Sequence, residues 1–481
     1  MSRKRPNFST ETAADLLTTL IKHRSITPDT TACQEQIAER LREIGFATEN
    51  IPFNSTDYPH AGGADDSTAG SDGEAAEAAK QAIVPINNLW ATYGEPPYLV
   101  FCGHTDVVPP GQESLWRHPP FAATIENLYI YGRGAADMKG SIAAMLVAVR
   151  DHLAPMSGEP NTNSASESDT NKNPPSMLDE PNTNLASKSD TNKNPPSMPD
   201  ASRAPGGIAF LITADEEGEA IDGVEAALKE LAKRQVAISQ CLVGEPTCEQ
   251  NLGDTIKIGR RGSLRLKLKL QGAQGHAAYL ASGDNLLHRA VGFLNLMLAE
   301  NWDKDLTTTP PGTSFNVINL TTQSAADNVT AQGVSLQCNW RYDPQLHNHL
   351  DELKSKVGDL LKSAGFTLDA SDQDTPADSF AARCEWSTSA QPYFCEKATL
   401  AGNLAQAIQD TIGVQADFTT SGGTSDGRFF PAYGVEVAEF GPRNATIHCV
   451  DERLAIAELN QLTDIYRRFL QLHLNPHLAP K

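Results

Sequence analysis

Short apolar runs alternate with helical stretches between residues 97 and 245, and this alternation restricts the folds that the chain can adopt. The runs at 97–104, 206–213 and 240–245 have the length and apolar content of buried strands. Helical patterns at 140–153 and 222–233 separate them. Strands that alternate with helices usually pair in parallel and are covered by helices. The sequence therefore predicts an α/β fold with a mainly parallel, mixed sheet.

A different pattern begins at residue 262. Leucine occupies every second position from 264 to 270, and Arg265, Lys267 and Lys269 lie between the leucines. This alternation predicts a strand with one buried face and one solvent face. The stretch after it predicts a helix, two strands, a helix and a strand, at 284–300, 313–322, 332–342, 347–365 and 379–386. The order βαββαβ predicts a smaller, ferredoxin-like α+β domain.

The chain of 481 residues is too long for one ordinary core, so we expect two domains. We assign 1–260 and 387–481 to a catalytic domain and 261–386 to an inserted dimerisation or lid domain. Two segments, 54–81 and 154–205, are poor in large apolar residues and are expected to be flexible surface insertions. The second contains a 21-residue near-duplicate, at 159–179 and 180–200.

Charge and composition exclude several classes of protein. The net charge of −21 argues against nucleic acid or an anionic membrane as partner, because both require a basic surface. The sequence has no apolar run long enough for a membrane span and no apolar signal segment near its start. The eight cysteines are scattered without a CxxC pair, which favours reduced thiols and a cytoplasmic location.

Potential metal ligands follow the predicted strands of the large domain. In an open α/β sheet, functional residues gather at the carboxyl ends of the strands. Each residue alone has an ordinary structural explanation, but the set is improbable by chance. Its members are His104, Asp106, Asp137, Glu216, Glu217, Glu245 and His448.

Two imidazoles and several carboxylates suit a pair of neighbouring divalent ions. Mixed nitrogen and oxygen ligation favours zinc, with cobalt or manganese as possible substitutes. His104 and Asp106 face the same side of an extended chain, so Asp106 could accept the second imidazole N–H and orient the ligand. One of the adjacent residues Glu216 and Glu217 would bind metal, and the other would act as general base on water. The sequence lacks HExxH and phosphate-loop motifs.

As a set, the motifs resemble those of the di-zinc aminoacylase/carboxypeptidase family. The resemblance extends over about residues 10–470 outside the two insertions, and its later motifs are more specific to the bacterial branch that hydrolyses N-succinyl-L,L-2,6-diaminopimelate. The matching stretches are "GHTDVVPPG", "YGRGAADMKGS", "LITADEE", "LVGEPT", "GRRGSL", "QGHAAY", "SGGTSDGRF" and "GPRNATIH".

The resemblance implies a role for each residue. His104 and Glu245 would bind one zinc ion, Glu217 and His448 the other, and Asp137 would bridge the two ions. Glu216 would be the general base. His276 would come from the small domain of the partner subunit in a homodimer and polarise the scissile carbonyl. The implied substrate contacts are Arg261, Ser263, Tyr279, Asn328, Gly423, Thr424 and Asn444.

The implied reaction is hydrolysis of N-succinyl-L,L-2,6-diaminopimelate to succinate and L,L-2,6-diaminopimelate in lysine and diaminopimelate biosynthesis. Its small anionic substrate requires local cations, and several arginines are available beside Arg261: Arg260, Arg341, Arg428 and Arg443. Two alternatives stay open: a deacylase of another N-acyl amino acid, such as N-acetylornithine, and a non-catalytic binding protein. The segments "AYLAS" and "DNVTAQG" depart from the family pattern and could change the preferred substrate.

Overall fold

The computed structural model describes residues 10–53, 86–154, 204–218, 220–280, 284–302, 312–322, 326–343, 349–368, 380–395 and 399–474. The expected insertion at 54–81 and residues 155–203 of the expected insertion at 154–205 lie outside the described residues. The α-helices of the described parts are α1 Ala13–Lys22, α2 Thr31–Glu43, α3 Gly140–Leu153, α4 Val224–Lys233, α5 Leu286–Ala299, α6 Leu350–Ser363, α7 Thr399–Ile412 and α8 Ile456–His473.

An eight-stranded mixed sheet forms the centre of the large domain. Its strands, in spatial order, are β1 Ala47–Phe53, β2 Ile86–Gly94, β6 Gly207–Thr213, β3 Tyr98–His104, β7 Ile238–Val243, β17 Glu436–Glu439, β8 Thr255–Lys257 and β16 Asp417–Thr419. The four central strands β6, β3, β7 and β17 are mutually parallel. At one edge, β2 runs antiparallel to β6, and β1 runs antiparallel to β2. The predicted α/β class is confirmed.

Helices cover both faces of the central part of this sheet, which explains why β3 and β6 are apolar along almost their whole length. On β3, Leu99 and Phe101 belong to a core shared with α1, α2, α3, α7 and α8. The intervening Val100 and Cys102 belong to a second core, which contains the apolar face of α4. Side chains of a strand alternate between its faces, so a strand buried on both sides carries apolar residues at successive positions.

The inserted segment forms a five-stranded sheet with α5 and α6. Its order is β11 Ser314–Thr322, β12 Gly333–Tyr342, β10 Gly262–Gln271, β14 Ala381–Ala390 and β13 Thr367–Leu368. The leucines of β10 are buried against α5 and α6, while Arg265, Lys267 and Lys269 are exposed, as the alternation predicts. The predicted βαββαβ order is present with β13 in addition, but the final strand continues to Ala390, beyond the expected end at residue 386.

Two short antiparallel strands, β9 Gly259–Arg260 and β15 Tyr393–Phe394, lie where the chain enters and leaves this segment. The remaining strands form a small sheet of β18 Arg453–Ala455, β5 Tyr129–Tyr131 and β4 Thr124–Glu126. All eight cysteines are free, and five of them are buried. Of the helices in the described parts of the chain, none combines the length and apolar character needed to cross a bilayer.

Candidate metal centre

Three neighbouring parallel strands place candidate ligands at one edge of the large sheet. His104 is the last residue of β3, and Glu216 and Glu217 follow the end of β6. Glu245 follows β7. Because β6, β3 and β7 are adjacent and parallel, their carboxyl ends meet at the same edge.

Two further ligands come from irregular segments. Asp137 lies in the turn Ala135–Lys139 that precedes α3, and its extended backbone (φ −120°, ψ 97°) interrupts that turn. His448 has a left-handed backbone with φ 58°, which is uncommon for a residue other than glycine. Both conformations direct a polar side chain at the strand ends instead of continuing regular structure.

The two histidines face opposite oxygens of Asp137. His104 Nε2 lies 3.3 Å from Asp137 Oδ1, and His448 Nε2 lies 3.3 Å from Asp137 Oδ2. His104 Nε2 is also 3.7 Å from Glu245 Oε1, and His448 Nε2 is 3.0 Å from Glu217 Oε1. Each imidazole therefore shares Asp137 and has one further carboxylate of its own, an arrangement that could hold two ions with a bridging ligand.

Buried polar atoms without partners show that these residues fit a metal ion. Among the described residues, His104 Nε2, Asp137 Oδ1 and Glu245 Oε1 have no hydrogen-bond partner, although all three are shielded from solvent. Ligand atoms of these residues lie within 4.8 Å of one another, and so do those of Asp137, Glu217 and His448. Orphaned polar atoms in the interior are costly, and a divalent cation would satisfy them.

The charges of the site also favour a bound cation. Burial and the charge of Asp137 raise the pKa of Glu245 to about 8. Burial and the charge of Glu245 likewise raise the pKa of Glu216 well above its usual value. Hydrogen bonds to Asp137 and Glu217 raise the pKa of His448 to about 10. These shifts reflect a group of carboxylates that repel one another unless positive charge lies among them.

Asp106 has a different role from the one predicted. His104 Nδ1 lies 2.9 Å from the main-chain carbonyl oxygen of Asp106, whereas the nearer carboxylate oxygen is 3.6 Å away. A carbonyl only accepts, so Nδ1 carries the hydrogen and Nε2 is free to bind a metal. The carboxylate instead accepts hydrogen bonds from the main-chain N–H groups of Glu216 and Glu217 and from the Thr27 hydroxyl.

His276 lies on the small domain with two of the predicted substrate contacts. Its Nδ1 accepts the N–H of Ala278 at 3.1 Å, and its Nε2 lies 3.2 Å from Asn328 Nδ2. The ring centroid of Tyr279 is 5.1 Å from that of His276, and the Tyr279 side chain is 88% exposed. In the described parts of this chain, no hydrogen bond or ion pair joins His276 to the candidate ligands.

The other predicted substrate contacts lie on several separate segments of the chain. Arg261 donates to the carbonyl of Gly312 and the hydroxyl of Ser314. Ser263 accepts a hydrogen bond from Asn339. Gly423 and Thr424 are exposed, the carbonyl of Gly423 accepts a hydrogen bond from Arg260, and the main-chain N–H of Asn444 donates to the carbonyl of Cys248.

Several of the available arginines are held by structural contacts. Arg260 forms a buried ion pair with Glu439, and Arg443 pairs with Glu458 at 2.9 Å. Arg428 donates to the carbonyl of Ser425. Arg341 donates to the main-chain carbonyl of Gly422, and its pKa is lowered by burial and then by Arg261 and Arg260. Arg260 and Arg443 are thus paired with carboxylates of the protein, whereas Arg261, Arg341 and Arg428 donate to carbonyl or hydroxyl oxygens.

Sequence reasoning missed two residues that shape the site. Thr27 reaches Asp106 from a distant part of the chain, and no local pattern singles it out. Glu452 is fully buried beside Asp137, and only its position four residues after His448 could have drawn attention to it.

The chain matches the model of Peptidase family M20/M25/M40 over residues 100–159 and 197–472, and the gap in this match falls within the duplicated insertion. It is 35% identical over 458 residues to a succinyl-diaminopimelate desuccinylase of Alkalilimnicola ehrlichii, which covers 95% of this chain and 98% of that protein. A succinyl-diaminopimelate desuccinylase of Coxiella burnetii is 35% identical over 459 residues, with the same coverage.

Solved structures show the same fold at low sequence identity. A tripeptidase from Staphylococcus aureus aligns with a TM-score of 0.62 and 18% identity, covering 97% of this chain and 99% of that one. A dinuclear metal binding peptidase from Bacillus subtilis aligns with a TM-score of 0.57 and 12% identity, covering 96% of this chain and 97% of that one.

Proposed function

The chain belongs to peptidase family M20/M25/M40, and from that premise we propose that it is a metal-dependent amidohydrolase that converts N-succinyl-L,L-2,6-diaminopimelate to succinate and L,L-2,6-diaminopimelate. The observation that carries the proposal is the joint presence of two features. Relatives named succinyl-diaminopimelate desuccinylase match 95% of the chain. In addition, histidine and carboxylate side chains that could hold two ions lie close together at one edge of the sheet. This reaction belongs to lysine and diaminopimelate biosynthesis, for which we expect a cytoplasmic location.

The distances support the proposed metal positions. His104 and Glu245 would hold one ion, Glu217 and His448 the other, and Asp137 would bridge them through its two oxygens. Two nitrogen and three carboxylate ligands favour zinc, with cobalt or manganese as substitutes. When bound, the two ions would activate a water molecule and polarise the carbonyl of the scissile amide.

Glu216 is the proposed general base. Its carboxylate lies among the candidate ligands, with Oε2 3.9 Å from His104 Nε2, and its ligand atom is within 4.8 Å of those of His104 and Glu217. It would take a proton from the attacking water and deliver it to the amide nitrogen as the C–N bond breaks, which leaves succinate and a free amine. Asp106 holds the main-chain N–H groups of Glu216 and Glu217, and so fixes the direction in which the two side chains point.

Substrate recognition would combine cations with main-chain groups. The substrate bears three carboxylates, and guanidinium groups bind carboxylates through paired hydrogen bonds. Arg261 is the proposed carboxylate partner from the small domain, and Gly423 would offer main-chain groups from an exposed loop. The remaining proposed contacts are Ser263, Tyr279, Asn328, Thr424 and Asn444.

We propose a homodimer in which His276 of the partner subunit completes the site. The support is an apolar surface on the small domain: β11 is an edge strand on which Ile318 is 62% exposed and Leu320 is 43% exposed. On α5 of the same small domain, Val291 and Leu298 are 55% and 64% exposed. An unpaired edge beside exposed apolar residues is typical of an interface. His276 would then stabilise the developing oxyanion.

The test is release of succinate from N-succinyl-L,L-2,6-diaminopimelate by the full chain. The protein is stripped with a chelator, reloaded with zinc, and assayed for succinate and for free amine, with N-acetylornithine as a parallel substrate. We expect stoichiometric succinate and amine that depend on zinc and disappear with chelator. A zinc-loaded protein that hydrolyses only N-acetylornithine would replace the substrate assignment, and one that hydrolyses neither would support a binding protein.

A further inference from the structure

Glu452 is a fully buried carboxylate that lies next to the candidate metal centre without belonging to any group of candidate ligands. It is 0% exposed, so its charge is removed from water and must be compensated by protein groups. The proposed reaction does not use it. Its role must therefore be found in the groups that it contacts.

Four donors converge on its two oxygens. Oε1 accepts the main-chain N–H groups of Ala136 at 2.9 Å and Asp137 at 3.1 Å. Oε2 accepts the main-chain N–H of Gly134 at 3.1 Å and Nη1 of Arg133 at 2.7 Å. Among the four successive residues 134–137, Glu452 thus accepts the main-chain N–H groups of three, and the last of these is the proposed bridging ligand Asp137.

Only an ionised carboxylate meets all four donors. Both of its oxygens are acceptors, whereas a glutamine of the same shape has one oxygen and one NH₂ group. Whichever way the amide is turned, its NH₂ group would face two donors and leave them unsatisfied. In a buried site, the unsatisfied donors would destabilise the folded protein, and the turn that carries Asp137 would no longer be held in one position.

The same residue connects the turn to the segment that carries His448. The main-chain carbonyl of Glu452 accepts the N–H of Gly132 at 2.9 Å, and Nη1 of Arg133 also donates to the carbonyl of Cys449 at 3.3 Å. His448 precedes this linked segment directly, and its Nε2 lies 3.3 Å from Asp137 Oδ2. The contacts therefore fix His448 and Asp137 relative to each other.

We infer that Glu452 is a positioning residue that sets the affinity of the metal position formed by Asp137, Glu217 and His448. The inference rests on the proposed function in one respect, namely that these three residues hold an ion. The position formed by His104 and Glu245 depends less on Glu452. His104 is fixed by β3 and by the carbonyl of Asp106, and it shares only Asp137 with the other position.

The experiment is zinc titration of the metal-free full chain against a chromophoric chelator, comparing native protein with Glu452→Gln. We expect native protein to bind two ions and the variant to bind one of them about 10–100-fold more weakly. His448→Ala removes the affected position, so adding Glu452→Gln to His448→Ala should weaken the remaining position less than Glu452→Gln alone weakens the position of His448, because Asp137 is the only ligand that the two positions share. With native-like stoichiometry restored by excess zinc, KM should stay close to native while kcat falls.

Glu458→Gln is the matched control. Glu458 is also buried and also accepts a main-chain N–H and a guanidinium, but both come from Arg443. This variant should bind both ions as the native chain does. If Glu452→Gln does not fold, Glu452→Asp keeps two acceptor oxygens on a shorter arm and should weaken the same position in a folded protein.

Equal affinities in native protein and either folded Glu452 variant would overturn the inference. Equal weakening of both positions would also overturn it, because that result indicates a general loss of structure. Neither outcome affects the proposed function, which fails instead if native protein binds no zinc or releases no succinate.

Discussion

The main-chain N–H of Glu217 donates a 3.0 Å hydrogen bond to Oδ2 of Asp106, so a residue that binds no metal in our proposal fixes the backbone of one that does. The neighbouring N–H of Glu216 points to Oδ1 of the same carboxylate at 3.4 Å. Asp106 thereby sets both the proposed ligand and the proposed general base from one position at the end of β3.

Replacement of Asp106 should therefore reduce activity because it disturbs the backbone of Glu216 and Glu217, and not because it reorients the His104 imidazole. Asp106→Asn keeps the main-chain carbonyl that binds His104 but exchanges one acceptor oxygen for a donor. We expect kcat to fall about 10–100-fold, the usual effect of losing a group that orients a ligand. Thr27→Val removes only the hydroxyl bond to the same carboxylate and should cost much less. Equal kinetics for Asp106→Asn and native protein would contradict this role.

Substitution of each of the adjacent glutamates alone should cause a different defect. Glu216→Gln should bind two metal ions but lose about 10²–10⁴-fold in kcat, because it removes the proposed base. Glu217→Gln should lose metal at the position of His448, since their side chains lie 3.0 Å apart. Metal content by elemental analysis and steady-state kinetics distinguish the two. Retention of near-native turnover by metal-loaded Glu216→Gln would refute the assignment.

The metal-free protein should lose stability as the pH rises. The folded-state pKa of Glu245 is raised from 4.5 to about 8 and that of His448 from 6.5 to about 10, so the folded state binds more protons than the unfolded state in between. The stability of such a protein falls with rising pH. Thermal melting with chelator from pH 6 to 9 should show a decreasing Tm, and saturating zinc should raise Tm most at the high end. A Tm that rises with pH in chelator would be inconsistent with these shifts.

The ion pair of Arg260 and Glu439 should contribute to stability and not to substrate binding. Both side chains are buried, and Glu439 also accepts hydrogen bonds from Tyr393 and Ser425. Glu439→Gln leaves the guanidinium without its charge partner, which should cost about 3–5 kcal/mol in the free energy of unfolding. Glu225→Gln breaks the exposed pair with Lys229 and should cost about 0–1 kcal/mol. Denaturant titration measures both, and equal losses would place Arg260 outside a buried pair.

The proposed homodimer should depend on the exposed edge of the small domain. Ile318→Lys places a charge on β11 and should produce monomers that bind zinc but turn over poorly, because His276 of the partner subunit would be missing. Ile125→Lys is the matched control, since Ile125 is 55% exposed on another edge strand, β4. Light scattering after size exclusion gives the mass. A fully active Ile318→Lys monomer would show that the site needs no partner.

Local periodicity was sufficient to predict the elements that carry it. Helix α3 has the predicted bounds, and β10 to β12 lie within a residue or two of their predicted positions. By contrast, the sequence "EVAE" of β17 contains two glutamates and does not resemble a central strand. Glu439 is tolerated there because Arg260, which is 179 residues away along the chain, compensates its charge.

The candidate site, like the fold, could be predicted only where the signal lies in the local sequence. The types of ligand could be predicted because imidazoles and carboxylates after strands are visible in the sequence. The hydrogen bonds of Asp106 and Glu452 could not be predicted. Both carboxylates accept main-chain N–H groups, which every residue other than proline possesses. Such contacts depend on how the loops meet in the folded chain.

The pairing of β9 with β15 has a practical consequence for rebuilding the molecule. Arg260 lies opposite Tyr393 and Gly259 opposite Phe394, so the segment between them starts and finishes at neighbouring points. Its deletion would leave a gap that a few-residue hairpin turn can bridge, since antiparallel partners are only about 5 Å apart. The large domain could then be produced alone, and the excised module could be transplanted between related enzymes as a cassette.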